Sequence, residues 1–407
     1  MLPPLAGPAT LEGGLHDPMS FRPPDPMMQN ARQNARERSW VEVSADALRR
    51  NYFRIQESVG PGVRIIPMVK ADAYGVGMHG AVAALEPLDP WGYGVAAVQE
   101  GLALRAAGLT KPVGVFSPAP PETYSRAVQG DLALSISDLD ALARLKEAAR
   151  ESGLPGRFHL EVDTGMGRAG FHWRRVGEWA PALRDLLDPH LRWEGVFTHF
   201  HSADVEDPGP TTTQWERFLE TLEALKPLPE GCMVHACNSP GALRIPAFAA
   251  DAVRPGIFLF GGMAGDGLPN PVPVASVRAR IVFVRDAPPG STVGYSSTYR
   301  ARGRELWATA SIGYGDGLPR ILSNRGSALV RGRRVPIIGR ISMDVTVLDI
   351  TSVPEAVPGE VATFLGSDGS ESISVDEVAE QAGTISHEIL TGLTARLPRI
   401  WVEAEEG

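Results

Sequence analysis

From Trp40 onward, apolar positions recur with the spacing of regular structure. "WVEVS" (40–44) alternates as a strand does, and Ser44 is placed to N-cap a helix over 45–59, "ADALRRNYFRIQESV". Short apolar runs then follow in series: "RIIPMV", "WGYGVAA", "PVGVF", "LALSI", "RFHLEV", "LRWEGVFT", "MVHA" and "DAVR". Helical patterns separate them. In "SDLDALARLKEAARESG" Ser137 and Asp140 have the spacing of a capping box, and "TTTQWERFLETLEALK" carries apolar residues at helical intervals. Some eight strands alternating with helices over roughly 200 residues predict an α/β fold, a (β/α)8 TIM-type barrel.

After about residue 270 the pattern changes. "PVASVRARIVFV", "ELWATASIGYG", "SALVRGRRVPIIGR", "VTVLDI" and "EVATFLG" are strands joined by turns, with no helical pattern until "VDEVAEQAG". They predict a separate, mostly antiparallel C-terminal β domain. The expected division is a barrel over 46–270 and a β domain made of 39–45 plus 271–407. Residues 1–38, rich in proline and polar residues, read as a disordered N-terminal tail. A translation start at Met27 or Met28 would equally account for that stretch.

Composition narrows the function. The 407 residues are 43% hydrophobic, ample for a core, and carry a net charge of −9. That balance argues against nucleic acid or an anionic membrane as the main partner. No apolar run is long enough to cross a bilayer. The only cysteines, Cys232 and Cys237, rule out a disulfide scaffold and suit a reducing cytoplasm. Five apart across a strand, they are expected on opposite faces as free thiols.

The chemistry begins at "PMVKADAYGVGMHG" (67–80). Gly75, Gly77 and Gly80 satisfy G-x-G-x-x-G after a strand, and Glu100 follows at the distance a dinucleotide fingerprint asks for. Against that reading, Lys70 precedes the glycines and the strand series suits a closed barrel. A barrel keeps its active site where strands end, and Lys70 lies just past the first strand. An amine there is a Schiff-base former. A pyridoxal phosphate cofactor would further need a phosphate site and a partner for its ring nitrogen.

Both are found where barrels carry them, after the seventh and eighth strands. "CNSPGALR" offers Asn238 and Ser239; "VRPGI" offers Arg254, Gly256 and Ile257. The Ser239 hydroxyl and the backbone N–H groups of Gly256 and Ile257 suit a phosphate. Arg254, always protonated, would donate to an unprotonated pyridine and weaken the ring as an electron sink. His199 and His201, with Asp204 nearby, admit half of a metallohydrolase site, but no matching set of further ligands follows, and no metal is expected.

Taken in order, "VKADAYGVG", "EVDTGMGRAGF", "FTHFHSAD", "CNSPGALR", "VRPGI", "VGYSSTY", "IGYGDGLPR" and "GRISMD" resemble alanine racemase, a fold-type III pyridoxal-phosphate family, from about Trp40 to Trp401. The resemblance implies that Lys70 carries pyridoxal 5'-phosphate and is the base on one face of the substrate α-carbon. Tyr295 is then the base on the other face, with His199 as partner of its hydroxyl and Arg254 supporting both that histidine and the ring. Arg168 would contact the substrate carboxylate. Tyr74, Ser239, Gly256 and Ile257 would hold the phosphate, and Tyr314 and Met343 would line the entrance. It also implies a head-to-tail homodimer in which Tyr295, Tyr314 and Met343 complete the partner's site. Two positions depart from the family pattern. Glu161 stands where many relatives have a carbamylated lysine, and as an anion it is expected to hold Arg168. His387 stands where many have a tyrosine, which leaves room for serine or somewhat larger amino acids.

The expected reaction is L-alanine to D-alanine for peptidoglycan precursors, in the cytoplasm. The alternatives are a broader amino acid racemase acting on serine, a fold-type III decarboxylase, and a non-catalytic pyridoxal-phosphate carrier.

Overall fold

A computed structural model of the chain describes residues 36–403. Residues 1–35 of the expected tail lie outside them. Residues 36–38 are part of the fold: both Arg38 Nη atoms donate to the Asp316 carboxylate, at 2.6 and 2.8 Å, and Nη2 also to the Asp344 carbonyl. Asp316 is fully buried, so this charge-assisted pair anchors the start of the described chain to the β domain.

Eight parallel strands form the first unit. They are Arg64–Ile65, Tyr93–Val95, Val113–Val115, Ala133–Ile136, Gly156–Asp163, Leu191–Phe197, Met233–His235 and Ala252–Val253. Each coincides with one of the eight apolar runs. Pairing follows chain order around the sheet, the last strand pairs with the first, and a parallel bridge between Met68 and Gly94 joins the first to the second. The ring is therefore closed, and side chains fill it, as barrel geometry requires.

Local signals behaved as their chemistry dictates, with one exception. The helix Ala45–Val59 starts where Ser44 accepts the Ala47 N–H at 3.1 Å. The helix Leu139–Ser152 is capped by Asp138, which accepts the Ala141 N–H at 2.7 Å, so the Ser137–Asp140 capping box does not form. The Ser137 hydroxyl donates instead to Glu161 on the neighbouring strand, 2.8 Å away.

The second unit is a nine-stranded sheet that curls back on itself through the pairing of Val361–Asp368 with Ala275–Ala287. Its pairings are antiparallel except where Ser39–Ser44 lies parallel to Arg399–Val402. Ser39–Ser44 also pairs antiparallel with Ala275–Ala279, which ties the start of the fold to the C-terminal sheet. The helix Val375–Ala382, read from sequence, is followed by a second, Ser386–Thr391, that carries His387 against the barrel mouth. No helix among the described residues is long and apolar enough to cross a membrane.

Candidate active site

Lys70 follows the bridge residue Met68 at the C-terminal end of the barrel. The four residues after it, Ala71 to Tyr74, all have left-handed backbone, with φ between 51° and 54°. Each such residue with a Cβ costs about 1–2 kcal/mol, so the turn persists only because its surroundings hold it. Glu100 accepts the Ala71 N–H at 2.6 Å and also caps the next barrel helix through the Ala96 and Ala97 N–H groups. Asp72 accepts the Met78 N–H at 2.7 Å. The turn carries the Tyr74 ring onto Phe260, with centroids 4.9 Å apart.

Among the described residues, Lys70 Nζ has no hydrogen bond and no ion pair. Burial holds its pKa below the ordinary lysine value, and the nearby Arg168 and Arg254 charges push the same way, against an opposing pull from Glu100. The amine is thereby biased toward its neutral, nucleophilic form.

Arg254 is only 4% exposed. Its Nη1 donates to His235 Nδ1 at 2.5 Å, and its Nη2 to the carbonyls of Thr198 and Ala236 and, at 3.4 Å, to His199 Nδ1. The guanidinium carbon also sits 4.9 Å from the centre of the Phe197 ring. Burial lowers the Arg254 pKa to about 10, so it remains a cation at neutral pH. Its charge keeps His199 neutral: burial first, then Arg254, Arg168 and Lys70, bring that imidazole to about 3.

Ser239, at the start of the helix Ser239–Arg244, accepts the Gly256 N–H at 2.8 Å. Gly256 is a position a side chain cannot occupy, because a Cβ there would lie 2.0 Å from Tyr74 Oη. Among the described residues the Ile257 N–H finds no acceptor. Tyr74 Oη, Ser239 Oγ, the open Ile257 N–H and the Gly256 N–H that Ser239 accepts thus gather into a polar cradle, with Lys70 on the same turn as Tyr74, four residues before it. A phosphate with a reactive aldehyde near the lysine suits that donor set. Asn238 serves the helix, accepting the Gly241 N–H at 3.1 Å.

Arg168 is exposed on a glycine-rich turn whose shape is set by Asp163 Oδ1, which accepts the Gly165 and Gly167 N–H groups, both at 3.0 Å. The expected Glu161–Arg168 pair is not made. Glu161, 6% exposed, accepts from the Ser135 and Ser137 hydroxyls at 3.0 and 2.8 Å, and its charge supports that of Arg254. Two short serines reach Oε2 from the neighbouring strand end, while the exposed Arg168 acts through its charge on Lys70, His199 and Arg254. His387 lies 5.8 Å from Tyr74, ring centre to ring centre. Tyr295, Tyr314 and Met343 stand exposed on the β domain, Tyr295 by 67%. Their loops are tied together: Arg340 donates to Ser296 Oγ, the Tyr314 N–H to the Ser342 carbonyl and the Gly315 N–H to the Met343 carbonyl. No hydrogen bond, ion pair or ring pairing among the described residues joins this patch to Lys70, His199 or Arg254.

Two family models cover nearly the whole fold. Residues 43–264 match "Alanine racemase, N-terminal domain" and residues 274–401 match "Alanine racemase, C-terminal domain". The chain belongs to the alanine racemase family. It is 35% identical over 365 residues to an alanine racemase of Halothermothrix orenii, covering 89% of this chain and 96% of that one. A relative from Syntrophobacter fumaroxidans is 37% identical, covering 86% and 94%. Among solved structures, the alanine racemase of Bacillus anthracis with bound L-Ala-P is 34% identical with a TM-score of 0.82, over 90% of this chain and 95% of that one. The Streptomyces coelicolor alanine racemase is 32% identical with a TM-score of 0.84, over 91% and 99%.

In this racemase the glycine fingerprint does something other than bind a dinucleotide. A Cβ at Gly75 would meet the Leu390 carbonyl oxygen at 2.1 Å, and one at Gly80 the Trp401 indole at 2.0 Å. The glycines let the C-terminal segment close on the loop after Lys70. Glu100, the apparent ribose ligand, holds that loop. Reading the sequence by motif also passed over His159 and His235, two buried histidines inside the barrel, whose only signal was an imidazole within a strand run.

Proposed function

We propose that the enzyme interconverts L-alanine and D-alanine with pyridoxal 5'-phosphate, using Lys70 and Tyr295 as bases on opposite faces of the α-carbon. The observation that carries this reading is the Lys70 amine past the first barrel strand, without a partner among the described residues and held toward its neutral form by burial and the Arg168 and Arg254 charges. When bound, the cofactor withdraws electrons from the α-carbon and acidifies its proton.

The chain's own groups supply the rest. Tyr74, Ser239 and the Gly256 and Ile257 N–H groups hold the phosphate. Arg254, a buried cation, would donate to the ring nitrogen and disfavour its protonation, which would favour plain proton exchange over transamination. Arg168 receives the substrate carboxylate through its planar fork. Lys70 moves a proton on one face and Tyr295 on the other. His199 accepts from Arg254 at Nδ1, so its proton sits on Nε2, ready to donate to the Tyr295 oxygen and stabilise the phenolate. Tyr295 reaches the site from a second copy in a head-to-tail dimer, with Tyr314 and Met343 narrowing the entrance. That assignment is supported by the exposure of all three on one patch of the β domain.

The product serves peptidoglycan precursors in the cytoplasm, a compartment consistent with two unpaired cysteines. His387, exposed beside Tyr74, favours a wider substrate range, with serine turned over as well. The test is a visible absorption spectrum of the purified enzyme, borohydride reduction with peptide mapping, and a chiral assay over a panel of L-amino acids. The expected results are a reducible cofactor on Lys70 and racemisation of alanine. A reduced adduct on another lysine, or carbon dioxide release in place of racemisation, overturns the reading.

A further inference from the structure

Inside the barrel, below Arg254, two imidazoles continue the hydrogen-bond chain. His235 Nε2 and His159 Nδ1 are 2.8 Å apart, and both residues are buried, His159 to 1% exposure. They are costly occupants. A barrel interior is ordinarily filled by branched aliphatic side chains, and a buried polar group without a partner is penalised. The backbone has also been cleared for one of them. A Cβ at residue 195 would lie 2.3 Å from His159 Nδ1, and the residue there is glycine.

The direction of the chain follows from what each group can do. A guanidinium only donates, so His235 Nδ1 must be the acceptor of the 2.5 Å contact from Arg254. Neutral His235 then carries its proton on Nε2 and donates it to His159 Nδ1. Neutral His159 carries its own on Nε2. Should His235 take the other tautomer, its Nδ1–H would face the Arg254 N–H, donor against donor, and the guanidinium would have to turn. Phe116 packs edge-on to both imidazoles, at 5.6 and 5.5 Å, and Phe197 stacks on His235 at 5.1 Å, so neither ring can escape by rotating.

We propose that His159 is a positioning residue of the racemase: by accepting the His235 Nε2–H it holds His235 in the one tautomer that can receive Arg254, and so fixes which edge the guanidinium turns to the cofactor ring. The effect on catalysis rests on the reading that Arg254 faces that ring. The tautomer relay does not, and it is measurable without cofactor.

The experiment has two arms. In the first, 15N NMR of the histidines in cofactor-free wild-type enzyme, assigned with His159→Gln and His235→Asn, should find both His159 and His235 neutral and protonated on Nε2. A His235 protonated on Nδ1 overturns the proposal whether or not any variant folds. In the second, holoenzyme carrying His159→Leu should lose roughly tenfold in kcat, the scale set by one buried donor left unpaired. KM for the amino acid should change by less than about twofold, because Arg168 is untouched. The visible absorption maximum of the bound cofactor should shift. His159→Gln, whose carbonyl can accept the same proton, should recover most of kcat and the wild-type spectrum. Equal losses in the Leu and Gln variants, or an unchanged kcat in the Leu variant, overturn it. An enzyme that binds no pyridoxal phosphate would defeat the proposed function yet leave the NMR arm to decide the relay.

Discussion

The Glu100 carboxylate receives the N–H of Ala71, the residue after Lys70, at 2.6 Å, while the lysine amine itself has no partner among the described residues. An acid so close to a lysine would be expected to form an ion pair with it. Instead it braces a left-handed turn, and its charge acts on Lys70 only at a distance. Two effects of opposite kind follow for Glu100→Gln. The amide keeps one acceptor for three N–H groups, so stability should fall by about 1–3 kcal/mol, seen as a lower melting temperature. Loss of the anion should lower the Lys70 pKa further, since Glu100 is the influence that raises it. Amine-modification rates measured against pH would show the midpoint moving down; a midpoint that moves up contradicts a stabilising pull of Glu100 on the charged amine.

A second prediction concerns the proposed dimer. If each site takes Lys70 from one copy and Tyr295 from the other, then Lys70→Ala and Tyr295→Phe, each inactive alone, should complement when mixed and allowed to exchange. Half the dimers would be mixed, with one intact site in two, so about a quarter of wild-type activity should return. No recovery, with exchange verified by mass spectrometry, would place both groups on one chain.

The cradle can be tested at one atom. Gly256→Ala puts a methyl 2.0 Å from Tyr74 Oη, which must push the ring off Phe260 or close the cradle. Cofactor affinity should drop at least roughly tenfold, the scale of about 1.4 kcal/mol, with the barrel still folded by circular dichroism. Titration of cofactor-free protein with pyridoxal phosphate measures it.

Acid should weaken the barrel from inside. His159 is held neutral by burial, aided by the Arg254 charge, with its pKa brought to about 3 from 6.5. The unfolded chain protonates this group near 6.5 while the folded chain does not, so the unfolded state gains protons as pH drops. Stability is therefore flat above about 6.5 and declines from there toward 3. At pH 5 this one residue costs about 2 kcal/mol. Melting temperatures from pH 7.5 to 5 should fall, and His159→Gln should flatten the slope.

Much of this was legible because it is periodic or local. All eight barrel strands and the helix at 45–59 coincide with apolar runs, since burial on a fixed geometry leaves a spacing in the chain. The cradle residues Ser239 and Gly256 were legible because barrels put such groups after late strands. What the sequence hid depends on distant partners. Nothing local tells that Ser137 will reach Glu161 in place of capping a helix, that Gly75 and Gly80 answer to Leu390 and Trp401, or that two histidines on separate strands meet in series.

The strand Arg399–Val402 has a consequence for assembly of the fold. Arg399 donates to the Gly75 carbonyl through Nε and Nη2, at 2.9 and 2.7 Å, and Trp401 packs where Gly80 has no side chain. The loop after Lys70 is thus clamped by a residue 324 positions further along the chain, so the barrel cannot set this loop by itself: the strand Arg399–Val402 has to be docked on the β sheet first. A chain cut short before Arg399 would keep every residue of the cradle and lose the hold on its loop.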